Sequence, residues 1–358
     1  MSKHHPMNIL IAKLSSIGDV IHTLPALSAI REAWPKARIG WIIERRCAEL
    51  LEGHALIDEL FIANTRAWRQ LPFAADTRSA VAAFCSALRR FRATVGLDFQ
   101  GLYKSAFALW LADAPRRIGF ESSGLKERLS SLLLTDQVAV DLRDHVIRKN
   151  LRLIEHLGIE PSSQWRFLLP VSPLQHAWAD EACRQLPGEF AILNLNASWK
   201  AKQPEPGIFG AVSRHLRKEH GLWSIIPCGP QEGEHYDRVI ADHQINGRLI
   251  PCTLLEFAAL ASRAKLYVGG DTGLTHIAIA RGTPVVALYG PTEAWRNGPF
   301  DPSDVALQAP SAEPGYYSRR RQADGYLQVS SANVCEAIDR RLNRMPRITG
   351  AISASNPA

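Results

Sequence analysis

The length and composition of the chain indicate a globular protein with more than one domain. It has 358 residues, of which 46% are hydrophobic, and a formal net charge of +7. One core rarely covers so long a chain, so we expect two domains. No apolar run approaches the ~18 residues of a membrane span, and the first six residues are too polar for a signal peptide, so we expect a cytoplasmic protein. Six scattered cysteines without a C-x-x-C pair suggest neither a disulfide framework nor a cysteine metal site.

The positive charge is concentrated in the first half of the chain. Residues 1–172 contain 23 Lys and Arg against 17 Asp and Glu, a net charge of +6, whereas residues 173–358 contain 19 against 18, a net charge of +1. A basic face of this kind suits an acidic partner, such as nucleic acid, anionic lipid headgroups or a phosphorylated sugar. Scattered arginines on solvated helix faces also explain any single one of them.

Apolar runs and helical patterns alternate through the first half, which predicts a parallel sheet covered by helices. The predicted strands are 8–12, 39–43, 59–63, 94–98 and 116–120, and the predicted helices are 20–33, 45–51, 77–92, 104–112 and 145–157.

The pattern pauses at residues 161–173, which are rich in proline and serine, and then begins again. The predicted strands of this half are 190–196, 223–228, 248–251, 266–268 and 284–289, and the predicted helices are 207–219, 232–242, 255–262 and 277–280. We therefore predict an α/β protein with two doubly wound, Rossmann-like domains, 7–170 and 171–329, and a site in the cleft between them.

The end of the chain is predicted from composition. Residues 301–325 read as a loop that includes the basic run Arg319–Arg321. A helix at 330–345 is predicted to pack back on the first domain, and residues 346–358 to be a disordered tail.

The turn after the first strand contains a lysine, two serines, a glycine and a carboxylate, in the order K-L-S-S-I-G-D at residues 13–19. Parallel sheets place their ligands at this end of a strand. The turn matches neither the dinucleotide fingerprint G-x-G-x-x-G nor the P-loop. Asp19 could be a functional carboxylate, or it could simply cap the helix that starts at Val20.

A second turn, Gly269-Gly270-Asp271-Thr272-Gly273, lies between a short apolar run and a helix. Glycines and a helix N-terminus present backbone N–H groups to one point, so this turn is suited to an anion such as a diphosphate. Helix capping by Asp271 or Thr272 explains the same residues without a ligand.

Four separated motifs in the right order resemble the lipopolysaccharide heptosyltransferases, which have the two-domain GT-B architecture, and most closely their heptosyltransferase I branch. The motifs are K-L-S-S-I-G-D-V-I-H-T-L-P-A-L at 13–27, D-F-Q-G-L-Y-K-S-A at 98–106, G-D-T-G-L-T-H at 270–276 and Y-G-P-T at 289–292. The resemblance spans roughly residues 7–342.

The resemblance implies inverting, metal-independent transfer of L-glycero-D-manno-heptose from ADP-heptose to the Kdo sugar of lipid A, with no cofactor. It implies an ADP-sugar donor, an anionic lipid A-Kdo acceptor, no nucleic acid, and a cytoplasmic location, peripheral at the inner membrane. The implied general base is Asp19, and Lys202 assists catalysis, although Lys200 could take its place. The other implied donor-binding residues are Ser16, Gly18, Ser198, Glu232 or else Glu234, Asp271, Thr272, Gly273, Leu274 and His276, and the proposed acceptor-binding residues are Lys104, Arg116 and Arg117.

Other functions remain open at this stage. They are a GT-B transferase with another donor or acceptor, a non-catalytic nucleotide-sugar-binding protein, a sugar-nucleotide epimerase and a Rossmann oxidoreductase. The oxidoreductase needs the glycine fingerprint that Ser15-Ser16-Ile17-Gly18 does not supply, and the epimerase has no acceptor and so no use for a basic first domain.

Overall fold

The computed structural model describes residues 7–197, 200–309 and 325–343, together with the backbone of a two-residue strand at 352–353. The chain divides into two compact units, residues 1–170 and 171–358. Each unit contains a six-stranded parallel sheet with helices, so the predicted α/β class is confirmed.

The first unit is a doubly wound sheet with the strand order β3-β2-β1-β4-β5-β6. Its strands are β1 (Asn8–Ala12), β2 (Arg38–Glu44), β3 (Glu59–Ala63), β4 (Val95–Asp98), β5 (Arg116–Phe120) and β6 (Asp136–Val138), followed by the short β7 (Gln164–Trp165). Its helices are α1 (Ile17–Ile21), α2 (Leu24–Ala33), α3 (Thr65–Gln70), α4 (Ala75–Phe91), α5 (Tyr103–Leu111) and α6 (Val146–Glu155).

The strand order reverses beside β1, which pairs with β2 on one side and β4 on the other. Ala12 lies opposite both Ile42 and Asp98, so the segments that follow β1 and β4 leave the sheet side by side. Ligands of doubly wound sheets bind at this switch point, outside the carboxyl ends of the strands.

The second unit repeats the same topology with the order β10-β9-β8-β11-β12-β13. Its strands are β8 (Phe190–Asn194), β9 (Trp223–Cys228), β10 (Gly247–Pro251), β11 (Leu266–Gly270), β12 (Val285–Tyr289) and β13 (Val305–Gln308). Its helices are α7 (Pro173–Arg184), α8 (Gly207–His220), α9 (Gly233–Asp242), α10 (Leu254–Ala261), α11 (Gly273–Ala280), α12 (Ala294–Asn297) and α13 (Ser331–Leu342). Here the switch point lies between β8 and β11.

The helix α13 corrects the predicted domain assignment. It was expected on the first domain, but it packs on α8, β12 and β13 of the second unit. Its apolar face, Val334, Ala337 and Ile338, is part of that unit's core. A buried ion pair of 2.8 Å between Arg341 Nε and Asp304 Oδ1 holds its last turn there.

The region 301–325 was also predicted incompletely, because Val305–Gln308 forms the edge strand β13 and not a loop. Its burial alternates and its length is only four residues, so it carries little signal in the sequence. Arg319–Arg321 and most of the tail 346–358 lie outside the described residues; within the tail, Ile352–Ser353 form the two-residue strand β14.

Several smaller differences have simple local causes. The helix predicted at 20–33 is two helices, and Pro25 stands at the start of the second. The segment 45–51 forms a 3-10 helix at Arg45–Leu50. The helices α3 and α7 were not predicted because they bury almost no side chains, none in α3 and only Ala179 in α7, and therefore show no apolar periodicity.

Candidate active site

The turn after β1 is fixed to the turn after β4 by side chains from both. Lys13 is buried, and its Nζ donates a hydrogen bond of 2.7 Å to the carbonyl of Phe99. The side-chain oxygen of Gln100 accepts from the backbone N–H groups of Leu14 and Ser15, at 3.0 and 3.1 Å. The D-F-Q-G motif thus supports the first turn. The role of Gln100 was not predicted, although the motif that contains it was.

Asp19 stands at the edge of this arrangement, in the first turn of α1. Its Oδ2 accepts hydrogen bonds from the backbone N–H of Ser16 (2.9 Å) and from the Ser16 hydroxyl (2.8 Å). Lys13 Nζ lies 3.9 Å from its Oδ1, and about a third of the side chain, 34%, is exposed. Asp19 therefore closes the start of α1 and still presents a carboxylate to solvent next to a buried cation. Gly18 is buried beside it.

Asp98, at the end of β4, is a second carboxylate at this switch point. It is buried, and its Oδ1 accepts from the backbone N–H groups of Gln100 and Gly101, at 2.9 and 3.0 Å. Burial outweighs these hydrogen bonds and the charge of Lys13, and it raises the pKa of Asp98 to about 6. With no exposed surface, Asp98 shapes the turn and does not face a substrate.

In the second unit, one buried carboxylate organises the switch point. Asp271 follows β11, and its Oδ2 accepts from the Thr292 hydroxyl at 2.6 Å and pairs with Lys202 Nζ. Its Oδ1 accepts from Asn297 Nδ2 at 3.0 Å and lies 3.1 Å from His276 Nε2. Burial alone would raise the pKa of Asp271, but the hydrogen bond from His276 and the charge of Lys202 hold it far below its usual range. Asp271 is therefore an anion that orients its four partners.

Close packing at a glycine brings Lys202 to this carboxylate. A Cβ atom at Gly270 would lie 2.5 Å from the backbone oxygen of Lys202, so only glycine allows that approach. The neighbouring lysine has another partner, because Lys200 Nζ stacks over the ring of Tyr326 at 4.9 Å. The structure thus brings Lys202, and not Lys200, to Asp271.

The N-terminus of α11 lies directly beside this network. Thr272 is its N-cap residue, and its hydroxyl accepts a 2.9 Å hydrogen bond from Asn194 Nδ2 at the end of β8. Thr272, Gly273 and Leu274 are partly exposed, while Thr275 is buried and hydrogen-bonded. The first turn of a helix lacks intrahelical acceptors for its N–H groups and carries the positive end of the dipole. A partly exposed first turn with Lys202 nearby is therefore suited to a phosphate group.

The two candidate glutamates lie after β9, at the same edge of the sheet. Glu232 is the N-cap residue of α9, and its Oε2 accepts a 2.8 Å hydrogen bond from the backbone N–H of Gly229. Glu234 lies in the first turn of α9 and is exposed. Glu232 is thus held in place by the strand end, and Glu234 extends into solvent.

The three basic residues predicted for the acceptor are not brought together. Lys104 begins α5 at the carboxyl end of β4 and lies 3.7 Å from the buried Glu44. Arg116 and Arg117 begin β5, so they lie at the amino edge of the sheet, opposite Asp19. Arg116 pairs with Asp136 at 3.0 Å, and Arg117 donates to two backbone carbonyls, those of Leu133 and Ala114. The structure therefore does not bring Arg116 and Arg117 together with Lys104, and it pairs both arginines at the other edge of the sheet.

Two other basic residues, which were not predicted from the sequence, lie at the carboxyl edge of the first unit's sheet. Arg66 and Arg69 are exposed residues of α3, which follows β3 immediately. The predicted donor residue Ser198 lies outside the described residues.

Among the described residues, one group has the geometry for a metal ion: His215, His220 and Asp339, whose ligand atoms lie within 4.8 Å of one another. It joins the C-terminal end of α8 to α13. Since α8 starts at the carboxyl edge of the sheet and ends at the other, this group is separate from Asp271.

Comparison with known proteins identifies the class. The profile of glycosyltransferase family 9 (heptosyltransferase) matches residues 81–324, so the chain belongs to this family and is a glycosyltransferase. Its fold is GT-B: it superposes on the solved structure of Escherichia coli heptosyltransferase WaaC with ADP with a TM-score of 0.76 and 26% identity, over 94% of this chain and all of that one. Escherichia coli heptosyltransferase II shares the fold, with a TM-score of 0.72.

The relatives found by sequence comparison have a more narrowly defined function. The chain is 28% identical to lipopolysaccharide heptosyltransferase 1 of Escherichia coli K12 over 85% of this chain and 94% of the relative. It is 27% identical to lipopolysaccharide heptosyltransferase 1 of Pseudomonas aeruginosa over 84% and 83% of the two chains.

Proposed function

We propose that this chain transfers heptose, with inversion, from ADP-heptose to the Kdo sugar of lipid A during synthesis of the lipopolysaccharide inner core. The observation that carries the proposal is the network around Asp271, which places Lys202 beside a partly exposed helix N-terminus in a chain of the heptosyltransferase family. The family relatives with solved structures include one with ADP and one with a fluorinated ADP-heptose.

The second unit binds the donor in this proposal. The backbone N–H groups of Gly273 and Leu274 and the ammonium group of Lys202 neutralise the diphosphate as the glycosidic bond breaks. Asp271 does not contact the diphosphate. It is buried, so it holds Lys202 and His276 in position through these contacts. Glu232 accepts hydrogen bonds from the ribose hydroxyls, because its carboxylate is already held in place by the backbone N–H of Gly229.

The first unit supplies the general base and binds the acceptor. Asp19 removes the proton from the attacking Kdo hydroxyl, and the exposed third of its side chain gives that hydroxyl access. Ser16 holds the carboxylate through two hydrogen bonds, and the ammonium group of Lys13 lies 3.9 Å from it. Lys104 contributes to binding of the acidic acceptor from the same edge of the sheet.

A non-catalytic nucleotide-sugar-binding protein would need the second-unit site but not an exposed carboxylate at Asp19. The experiment that separates the two first titrates the enzyme with ADP-heptose, ADP-glucose, UDP-glucose and NAD by calorimetry. It then incubates the enzyme with ADP-heptose and Kdo-lipid A and follows the product by mass spectrometry. We expect selective binding of the ADP-sugars and a product heavier by one heptose. Binding without product would favour the non-catalytic function.

A further inference from the structure

The helix α5 is apolar on both faces, which is unusual for a helix on the surface of a sheet. Ala106 and Leu109 are buried against the sheet. On the outer face, Tyr103, Phe107 and Trp110 are each 44–49% exposed. Their spacing places them along one side of the helix, and the rings of Phe107 and Trp110 stack with centroids 5.5 Å apart. Three large aromatic side chains thus face solvent in a row.

Neighbouring segments extend this row into a surface. The 3-10 helix Arg128–Leu133 packs beside α5 and exposes Leu129 and Leu132, the latter by 76%. We call these five residues, Tyr103, Phe107, Trp110, Leu129 and Leu132, the apolar surface. The loop before α4, a helix that also contacts α5, adds Leu71 and Phe73, whose side chain is 88% exposed. Contiguous exposed apolar residues of this kind mark an interaction site.

The charge around the apolar surface indicates the chemistry of its partner. The segments that carry these apolar residues, 65–73, 103–110 and 126–132, contain five Lys and Arg and one Asp or Glu, a net charge of +4. The basic residues include Arg66, Arg69, Lys126 and Arg128, all of them exposed. A partner that is both apolar and anionic matches this combination.

We propose that the apolar surface docks the first unit on a membrane that contains anionic lipids. Tyr and Trp side chains are suited to the boundary between headgroups and acyl chains, and surrounding Lys and Arg are attracted to anionic headgroups. None of the described helices is long and apolar enough to cross a membrane. The inference rests on the proposed function, since it explains how an enzyme reaches a lipid-linked acceptor.

The position of α5 relates the docking surface to the reaction. This helix starts at the carboxyl end of β4, at the sheet edge where Asp19 and Lys104 lie. Docking through Tyr103, at the first turn of α5, therefore holds this edge of the first unit next to the headgroups. The acceptor sugar is joined to lipid A at that level of the membrane.

The test measures vesicle binding separately from catalysis. The full-length enzyme is sedimented with vesicles of phosphatidylethanolamine and phosphatidylglycerol, and with vesicles of phosphatidylcholine alone. The variants are Trp110→Ser/Leu132→Ser and, as a matched control, Leu174→Ser, because Leu174 is 81% exposed on the second unit. We expect wild type and the control to bind the anionic vesicles, the double variant to bind at least tenfold more weakly, and high salt to weaken binding.

Activity is measured with a water-soluble Kdo acceptor without acyl chains and with Kdo-lipid A in vesicles. We expect the double variant to keep its rate on the soluble acceptor and to lose rate only on the vesicles. Equal vesicle binding by wild type and double variant would overturn the proposal, as would absence of wild-type binding. If the wild type were a dimer and the double variant a monomer, the surface would be assigned to binding of a second copy instead. Vesicle binding that needs the apolar surface, without any heptose transfer, would sustain docking and refute only the proposed function.

Discussion

Replacing Asp271 with Asn should lower both the stability of the second unit and its affinity for the donor. The carboxylate is buried and accepts from Lys202, His276, Thr292 and Asn297. Asn has nearly the same shape, but its NH₂ group would face donors, and the ammonium group of Lys202, only 13% exposed, would lose its counter-ion. Breaking a buried ion pair from one side costs about 3–5 kcal/mol. For a unit of this size that corresponds to a melting temperature lower by roughly 6–20 °C.

The effect has a predicted pH dependence. The folded pKa of Asp271 lies far below its usual value, so the stabilisation is fully present above the unfolded pKa and is lost as the pH falls towards the folded pKa. The difference in free energy of unfolding between wild type and Asp271→Asn should be constant from pH 8 to 5. It should shrink below about pH 4, where the unfolded-state carboxyl group becomes protonated.

The assay is calorimetric melting at several pH values, followed by titration with ADP. Asp180→Asn is the matched control, because Asp180 pairs with Arg263 at 2.6 Å in the same unit but is 53% exposed. An exposed pair of this kind contributes about 1 kcal/mol or less. If Asp271→Asn melted like Asp180→Asn and bound ADP as tightly as wild type does, the reasoning about the buried network would be refuted.

The remaining predictions concern the metal, the basic residues and the first unit. EDTA should leave turnover unchanged, because Lys202 and a helix N-terminus neutralise the diphosphate; activity lost with EDTA and restored by Mg²⁺ would contradict this. Replacing Arg116 and Arg117 with Glu should lower the melting temperature and leave the acceptor KM nearly unchanged. Lys104→Ala should instead raise the acceptor KM, and steady-state kinetics distinguish the two results. Asp98 has a folded pKa of about 6 against 3.8 unfolded, so the folded state binds the proton more tightly and stability should fall as the pH rises from about 3 to about 7. Relative to Asp98→Asn this loss should be about 3 kcal/mol, measured by urea unfolding, and parallel pH profiles of the two proteins would refute it.

The alternation of strands and helices in both units and the turns after β1 and β11 could be predicted because each depends on local signals. The core strands β1 and β11 begin as apolar runs, and each is followed by a turn that contains a glycine, a hydroxyl side chain and a carboxylate, the residues that mark strand-to-helix turns. Elements with little burial, such as α3, α7 and β13, have no such periodicity and were missed.

The tertiary partners could not be predicted from the sequence alone. The amphipathic pattern of α13 shows that one face is buried but not which unit covers it; the buried pair Arg341–Asp304 settles that. Likewise Arg116 and Arg117 look like a ligand-binding pair in the sequence. Only the strand direction shows that they start β5 and so lie at the edge opposite Asp19.

The choice between Lys200 and Lys202 also required the structure. Both lie in one short 3-10 helix, and the difference arises from Gly270, whose missing side chain lets the backbone of Lys202 approach β11. No local pattern in the sequence reports such a contact between segments that are 68 positions apart.

The heptose transfer rate of Asp19→Asn tests the central claim most directly. Asn can still accept the hydrogen bonds from Ser16 that close the start of α1, so the fold and the donor KM should be preserved. It cannot remove a proton, and loss of a general base typically lowers kcat by about 10²–10⁴. With ADP-heptose and Kdo-lipid A, we predict a fall of that size at an unchanged melting temperature. A variant with near wild-type kcat would contradict the account and leave Asp19 as a helix cap.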